Sequence, residues 1–262
     1  AEHDQSLKHR DPQATFLIYN RAWSGSREYR LKFAELLIEH DLQDSCITSF
    51  SPEDAGVHYT QHDFNNKAFM PCRQDIENHL LKNTAPSWAS ADYVSSDYQS
   101  TEIEVVLETL FDDSRKHITE KTLRTIAVGQ PFILCATPGS LQYLRRYGFK
   151  TFEHCWDESY DKIQDPIERL NAIVQLMKNI KNCDMSRARA VAQYNRQHFF
   201  SKDFIETVIS EFDTNIDQAF TQVQQFKSGV YFVRAYESPA NLKKQVPVEL
   251  YEYAKSLTLK KE

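Results

Sequence analysis

Short apolar runs alternate with amphipathic segments over the first 155 residues of the chain. The runs at 16–19, 105–107 and 131–135 are typical of buried strands, and Ile47 and Phe50 indicate one more short strand. Helical spacing of apolar residues follows at 27–40, 119–128 and 139–147. Because strands that alternate with helices form parallel sheets, the pattern predicts an α/β fold with a Rossmann-like, mostly parallel sheet and flanking helices.

The same pattern divides the chain into three parts. Residues 1–14 are polar and are predicted to be a linker or a frayed terminus, and residues 15–160 form the Rossmann-like domain. Within that domain, 51–98 is predicted to be an irregular insertion with one short helix near 75–81. Residues 161–262 are predicted to be a mainly helical C-terminal region that packs on the domain.

Finer elements follow from the same reading. Gly148 is predicted to end a helix, and 149–152 is predicted to be a short strand or an extended piece. The C-terminal region is predicted to contain helices at 166–180, 185–199, 203–226 and 248–257, with an extended segment at 229–235.

Composition narrows the class of protein. The chain has 262 residues and a net charge of −6, which makes nucleic acid an unlikely partner because broad binding to phosphates needs a basic face. No apolar run approaches the roughly 20 residues that cross a bilayer, so no membrane span is expected. The five cysteines are scattered, which favours reduced thiols and a cytoplasmic location. The nine histidines show no metal-ligand spacing, and no metal site is expected.

The helix start at Thr119, Glu120 and Lys121 is the first candidate for chemistry. A helix N-terminus attracts anions, and Thr119 is a good cap. Lys121 opposes the helix dipole there, which is reasonable if a diphosphate binds beside it, and Glu120 suits ribose hydroxyls. The alternative is an ordinary helix start with a solvated lysine, and the spacing alone favours that alternative.

Four more charged residues follow predicted strands. Glu108 ends the strand at 105–107, where a carboxylate faces the ligand crevice of a parallel sheet or, alternatively, is a paired residue at the strand end. Arg21, Arg27 and Arg30 follow the first strand, and their guanidinium groups suit the oxygens of a diphosphate. A solvated helix face is the alternative for at least one of these arginines.

An acidic and aromatic cluster, WDESYD at 156–161, follows the predicted sheet. It has the chemistry to hold a metal or an acceptor sugar. The alternative, which the pattern favours, is that the cluster caps the helix that begins near Asp165 and Pro166.

Several of these motifs together resemble a known family. The chain has LET at 107–109, HITEK at 117–121 and PFIL at 131–134. This order resembles the donor-binding half of GT-B glycosyltransferases, in the fucosyltransferase-like and exostosin-like branch. The longer pattern with PGSL, GFKTF and WDESYD is similar to uncharacterised glycosyltransferase-like proteins of bacteria and phages. The resemblance covers residues 15–50 and 100–175 approximately.

The resemblance implies roles for individual residues. Lys121 would contact the diphosphate of a nucleotide-sugar donor, Glu120 its ribose, and Arg30 or Arg27 would be the diphosphate arginine. Glu108 would lie near the transferred sugar as a catalytic residue, and His117 replaces the tyrosine of the family's Y-x-TEK pattern. The family's FEN triplet is LET here.

The resemblance also implies a reaction. It would be an inverting, metal-independent transfer from a nucleotide-diphosphate sugar, with no cofactor, to a glycan or another hydroxyl acceptor. In the family an acceptor domain that supplies the general base precedes this half, whereas about 14 residues precede the first predicted strand here. The acceptor site is therefore expected from residues 51–98 and the C-terminal helices or from a partner domain or chain, unless the chain is a fragment.

Three functions are consistent with these expectations. A glycosyltransferase is the leading one. The alternative is a non-catalytic nucleotide-sugar-binding or glycan-binding module within a larger assembly. The third, a phage sugar transferase that modifies DNA, gains no support from the acidic charge. Both of the first two functions predict that four side chains converge on one cleft: Glu108, Glu120, Lys121 and Arg30.

Overall fold

The structure, a computed structural model, describes residues 1–80, 90–180 and 183–224, with side chains to residue 218. Its strands are β1 (Ala14–Asn20), β2 (Cys46–Phe50), β3 (Glu53–Asp54), β4 (Val57–His58), β5 (Thr101–Leu107) and β6 (Phe132–Cys135). Its helices are α1 (Tyr29–Glu39), α2 (Ile76–His79), α3 (Ser95–Gln99), α4 (Glu120–Val128), α5 (Ser140–Arg146), α6 (Pro166–Asn179), α7 (Met185–Phe199) and α8 (Lys202–Gln224).

The main sheet has four strands in the order β2-β1-β5-β6, and every pair is parallel. The chain leaves β1 toward β2 and later returns on the other side of β1 with β5 and β6. The order of the strands therefore reverses between β1 and β5, and the carboxyl ends of these two strands flank a topological switch point. The predicted parallel α/β sheet is confirmed for the described residues.

Side chains cover both faces of the sheet. Phe16 and Ile18 of β1 belong to the large apolar core, whereas Leu17 and Tyr19, which point to the opposite face, belong to a smaller cluster. Helix α1 packs with α6, and α4 packs with α7. A sheet buried on both faces explains why β6 and the second half of β5, from Val105 to Leu107, are continuously apolar.

The N-terminal residues are not the predicted frayed linker. They form a 3-10 helix, Gln5–Lys8, and the side chain of Leu7 is buried in the smaller apolar cluster. The guanidinium of Arg10 donates hydrogen bonds to the carbonyl of Tyr98 at 2.5 Å and to the side chain of Gln130. Because this segment is polar, its sequence pattern gave no indication of these long-range contacts.

Two buried glutamates, Glu28 just before α1 and Glu35 within it, hold the irregular insertion in place. The carboxylate of Glu28 accepts hydrogen bonds from the backbone N–H groups of Asn65 and Asn66, both at 2.9 Å. The carboxylate of Glu35 accepts from the N–H groups of Cys72 at 2.6 Å and Arg73 at 2.8 Å. The insertion itself contains the β3–β4 hairpin, short 3-10 helices, α2 and α3.

Replacing Glu35 with alanine is expected to release the segment around Cys72 and Arg73. The loss of two backbone hydrogen bonds to a buried charge should cost about 2–4 kcal/mol of the free energy of unfolding. Urea unfolding measures this cost, and hydrogen exchange should show lost protection at the amides of Cys72 and Arg73. The exposed Glu39 at the end of α1 is the matched control. Unchanged exchange at both amides would contradict the prediction.

The helices that follow the sheet begin and end where their sequences indicate. Asp165 caps α6 by accepting hydrogen bonds from the N–H groups of Ile167 and Glu168, and Pro166 occupies the first turn. Helix α5 is followed by Gly148, which has a φ of +84° that favours glycine. Residues 149–152, predicted to be a short strand or an extended piece, form no strand, and Phe149 and Phe152 bury their rings in the apolar core.

The predicted C-terminal region is divided between two compact units. Residues Ala1–Ile205 form one compact unit, which includes α6 and α7, and Glu206–Glu262 form a second. Helix α8 carries an exposed apolar stripe of Ile205, Val208, Ile209, Phe212 and Ile216. The predicted elements at 229–235 and 248–257 lie outside the described residues. Within the described chain, no helix combines the length and the apolarity that crossing a bilayer requires.

Candidate functional site

A cleft of about 530 Å³ opens beside the carboxyl ends of β1 and β5, next to the switch point. Seven of the eight predicted site residues line it: Arg21, Arg27, Arg30, His117, Thr119, Glu120 and Lys121. Residues that the sequence did not single out complete the lining: Tyr19, Ala22, Ser90, Glu104, Val105, Leu107, Thr109 and Arg124. The volume lies in the range of small-molecule sites.

Arg30 extends from the first turn of α1 to the floor of the cleft and is only 3% exposed. Its guanidinium donates hydrogen bonds to the carbonyl oxygens of Ala22 and Leu107, both at 2.6 Å. Ala22 follows β1 and Leu107 ends β5, so Arg30 joins the two strand ends that flank the switch point. Its Nε–H has no hydrogen-bond partner among the described residues. A buried cation held by carbonyls is suited to an anionic ligand.

The first turn of α4 forms one wall of the cleft. Thr119 caps the helix, because its hydroxyl accepts a hydrogen bond from the N–H of Lys121. The Nζ of Lys121 contacts the carboxylate of Glu120 at 2.8 Å and the hydroxyls of Thr119 and Thr109 at 3.2 and 3.3 Å. Burial raises the pKa of Glu120, but hydrogen bonds from Lys121 and Ser90 outweigh it and lower the pKa to about 2. Glu120 is therefore ionised at neutral pH.

A second group of cations surrounds Tyr19 at the other wall. The guanidinium carbons of Arg21 and Arg124 lie 4.5 and 4.7 Å from the centre of the Tyr19 ring, within range of cation–π attraction. The Tyr19 hydroxyl donates to the carboxylate of Asp97 at 2.7 Å. Burial and the charge of Asp97 raise the pKa of Tyr19 well above its usual value, so the ring stays neutral.

A buried ion pair lies beneath this wall. Arg124 pairs with Glu104, and the Nε of Arg124 donates to the hydroxyl of Tyr98 at 2.9 Å. The carboxylate of Glu104 also accepts from the hydroxyls of Tyr98 at 2.8 Å and Thr125 at 2.5 Å. A signal for this network was present in the sequence, because a charged residue inside an apolar strand requires a partner.

The charges of the cleft are strongly unbalanced. Five arginine and lysine side chains line it, against the carboxylates of Glu104 and Glu120. Both carboxylates are already paired, with Arg124 and Lys121 respectively. The cleft is therefore a cationic site in a chain whose net charge is −6.

Glu108, the predicted catalytic carboxylate, does not line the cleft. Its side chain is fully buried, at 0% exposed, beneath the start of α4. The carboxylate accepts hydrogen bonds from the N–H and hydroxyl of Thr119, at 2.9 and 2.5 Å, and from the hydroxyl of Thr122 at 2.5 Å. Its position at the strand end was predicted correctly, but it holds the N-terminus of α4 against the sheet rather than facing a ligand.

The acidic cluster WDESYD has structural roles, although not the predicted one. Asp161 caps α5 by accepting from the N–H of Leu141 at 3.2 Å, while Asp165 caps α6. Glu158 accepts hydrogen bonds from the N–H of Phe152 and from Arg145, both at 2.7 Å. No group of three histidine, cysteine or acidic side chains in the described part of the chain is arranged to hold a metal.

Comparison with known proteins gave no match: no family model matches the sequence, and neither curated proteins nor solved structures contain a significant relative. The resemblance of the motifs to GT-B glycosyltransferases therefore stays a prediction, and the function has to be argued from the cleft itself.

Proposed function

We propose that the cleft binds a nucleotide-diphosphate sugar and that the chain is the donor-binding part of a glycosyltransferase of GT-B type. The observation that carries the proposal is the convergence of Arg30, Lys121 and the N-terminus of α4 at the switch point of a parallel sheet. In such sheets, ligands bind outside the carboxyl ends of the strands, and phosphates bind at helix N-termini.

The diphosphate is the part of the ligand that the cleft suits best. Arg30 places a positive charge at the floor, and the ammonium of Lys121 offers a mobile charge at the wall. Arg21 and Arg27, which are more exposed than Arg30, add further positive charge to the lining. A diphosphate would also draw Lys121 away from Glu120, because a nearby phosphate is a stronger attraction than one partly exposed carboxylate.

Glu120 would then accept hydrogen bonds from the ribose of the donor. Its low pKa keeps it an acceptor at neutral pH, and ribose hydroxyls are donors. Its present partners, Ser90 and Lys121, show that the carboxylate already receives two donors at this position.

The cationic lining also suits the reaction. In inverting transfer, the oxygen of the acceptor hydroxyl forms a bond to the anomeric carbon as the bond from that carbon to the diphosphate oxygen breaks. The electron pair leaves with the nucleoside diphosphate, and a base takes the proton of the hydroxyl. Arg30 and Lys121 would stabilise the charge that develops on the leaving diphosphate. Glu108 is not proposed as the base, because it is buried.

A non-catalytic nucleotide-sugar-binding module is the second candidate. One observation favours it: among the described residues, both carboxylates that line the cleft are engaged in ion pairs. Incubation with nucleotide sugars and a panel of hydroxyl acceptors separates the two functions. A transferase releases nucleoside diphosphate when the acceptor is added, whereas a module binds the donor and releases none.

Replacing Lys121 with alanine is expected to weaken nucleotide-sugar binding by about 10- to 100-fold, the equivalent of one charge-assisted hydrogen bond. The cost in folding should be below about 1 kcal/mol, because the pair with Glu120 is partly exposed. Calorimetric titration of GDP- and UDP-sugars measures the affinity, after a thermal-shift screen has found the donor that binds.

Lys8 is the matched control for Lys121, because it is an exposed lysine that does not line the cleft. The Lys8→Ala variant should bind the donor as the natural chain does. If Lys121→Ala bound the same nucleotide sugar with full affinity, the assignment of the cleft would be wrong.

A further inference from the structure

A second cavity lies between the loop at 156–160 and the outer face of α6. It is a groove of about 360 Å³ that shares no lining residue with the cationic cleft. Its floor is apolar and aromatic, formed by the buried side chains of Trp156, Tyr160 and Ile180. Ala172 and Leu176, one turn apart on α6, form a half-buried apolar wall.

The aromatic part of the floor belongs to a stacked pair of rings. Trp156 is 6% exposed and its ring stacks on Phe152, with 4.7 Å between the ring centres. The Nε1–H of Trp156 has no partner among the described residues. The nitrogen itself is inaccessible from the groove, so Trp156 contributes apolar surface to the floor rather than a donor.

The rim of the groove is polar but almost uncharged. Gln175, Asn179 and Ser159 line it with amide and hydroxyl groups. Asp157 is the one charged residue among those described at the rim, and both oxygens of its carboxylate accept from Ser159, at 2.8 Å from the N–H and 2.8 Å from the hydroxyl. No arginine, lysine or histidine belongs to the lining as the structure describes it. The described lining therefore offers an anionic ligand no counter-charge.

We infer that this groove binds an uncharged sugar residue. A pyranose ring has an apolar face of C–H groups, which fits against Leu176 and the aromatic floor, and an edge of hydroxyls that both donate and accept. The amides of Gln175 and Asn179 meet these hydroxyls at the rim. The residues that the sequence marked as an acidic and aromatic cluster thus supply a sugar site through Trp156 and Ser159 rather than through their carboxylates.

Nuclear magnetic resonance of the ¹⁵N-labelled chain tests this site through the indole signal of Trp156, assigned with a Trp156→Phe variant. Glucose, galactose, N-acetylglucosamine and their disaccharides are the probes. At least one is expected to shift the Trp156 signal in a saturable way. The indole of Trp23 is an internal control that should not move, because it is buried and already donates to the carbonyl of Ser51 at 2.9 Å. No shift with any of these sugars would overturn the inference.

A pair of α6 variants locates the binding. Ala172→Phe fills the groove and is expected to weaken sugar binding by about tenfold or more, the equivalent of at least one lost hydrogen bond. Asn171→Phe places the same side chain at the next position, which is exposed and outside the lining, and should leave the affinity unchanged. Asn179→Ala removes a rim amide without filling space and should also weaken binding. Equal affinity in Ala172→Phe would show that the sugar binds elsewhere.

Nucleotide titrations separate this groove from the cleft. UDP and GDP should leave the Trp156 signal in place. If a nucleotide moved that signal and sugars did not, the groove would not be a sugar site. Loss of nucleotide binding together with intact sugar binding would contradict only the function proposed for the cleft.

Discussion

Replacing Glu108 with alanine is expected to cost about 3–5 kcal/mol of the free energy of unfolding. The carboxylate is fully buried and accepts three short hydrogen bonds from Thr119 and Thr122. Alanine would leave these donors without a partner inside the protein and would release the N-terminus of α4 from the end of β5. Equilibrium unfolding in urea, followed by far-UV circular dichroism, measures the loss.

Two further variants decide whether Glu108 is structural. Glu108→Gln keeps one acceptor oxygen and should lose roughly half as much stability, because hydrogen bonds to a neutral group are weaker. Glu102→Ala on the same strand removes a partly exposed pair with Arg189 and should cost at most about 1 kcal/mol. A Glu108→Ala chain with full stability but no transfer activity would restore the catalytic role that the resemblance implies and would contradict the structural one.

Replacing Arg124 with methionine is expected to cost a similar amount, about 3–5 kcal/mol, because it leaves the charge of Glu104 buried without its partner. Glu104 is nearly inaccessible in the middle of β5, and Arg124 approaches it from α4. The loss should appear as a lower urea midpoint with an unchanged slope, since the folded state keeps its compactness.

A double-mutant cycle isolates this ion pair. Adding Glu104→Gln to Arg124→Met should recover part of the lost stability, because no unpaired charge is then buried while Tyr98 and Thr125 keep an acceptor. If the two losses simply added, the pair would carry no coupling energy and the buried-charge explanation would be wrong. Arg124 also lines the cleft, so donor affinity should be measured on the same variants.

The regular elements were predictable because they depend on local periodicity. Helix α7 has the same bounds that its apolar spacing predicts, and the start of α4 follows from Thr119 as a cap. Of the two forms predicted for 149–152, the short strand does not occur, because a short segment with apolar ends does not show whether a neighbouring strand exists to pair with it. In the structure, the rings of Phe149 and Phe152 pack into the core instead.

The insertion was not predictable because long-range hydrogen bonds hold it. Glu28 and Glu35 look like solvent-facing residues of an amphipathic helix, yet their carboxylates bind backbone N–H groups more than 30 residues away. Nothing in the local pattern of polar residues distinguishes such a glutamate from a solvated one.

The sequence by itself determined the α/β class, the succession of the main strands and helices along the chain, and the cationic residues that could meet at one edge of the sheet. These follow from local periodicity and from the rule that parallel strands share a carboxyl edge. The tertiary structure decided which charged side chains face the cleft and which are buried and hydrogen-bonded inside the protein. Arg30 and Lys121 reach the cleft, whereas Glu108 is covered by α4, because a buried carboxylate is stable only where donors such as Thr119 and Thr122 surround it.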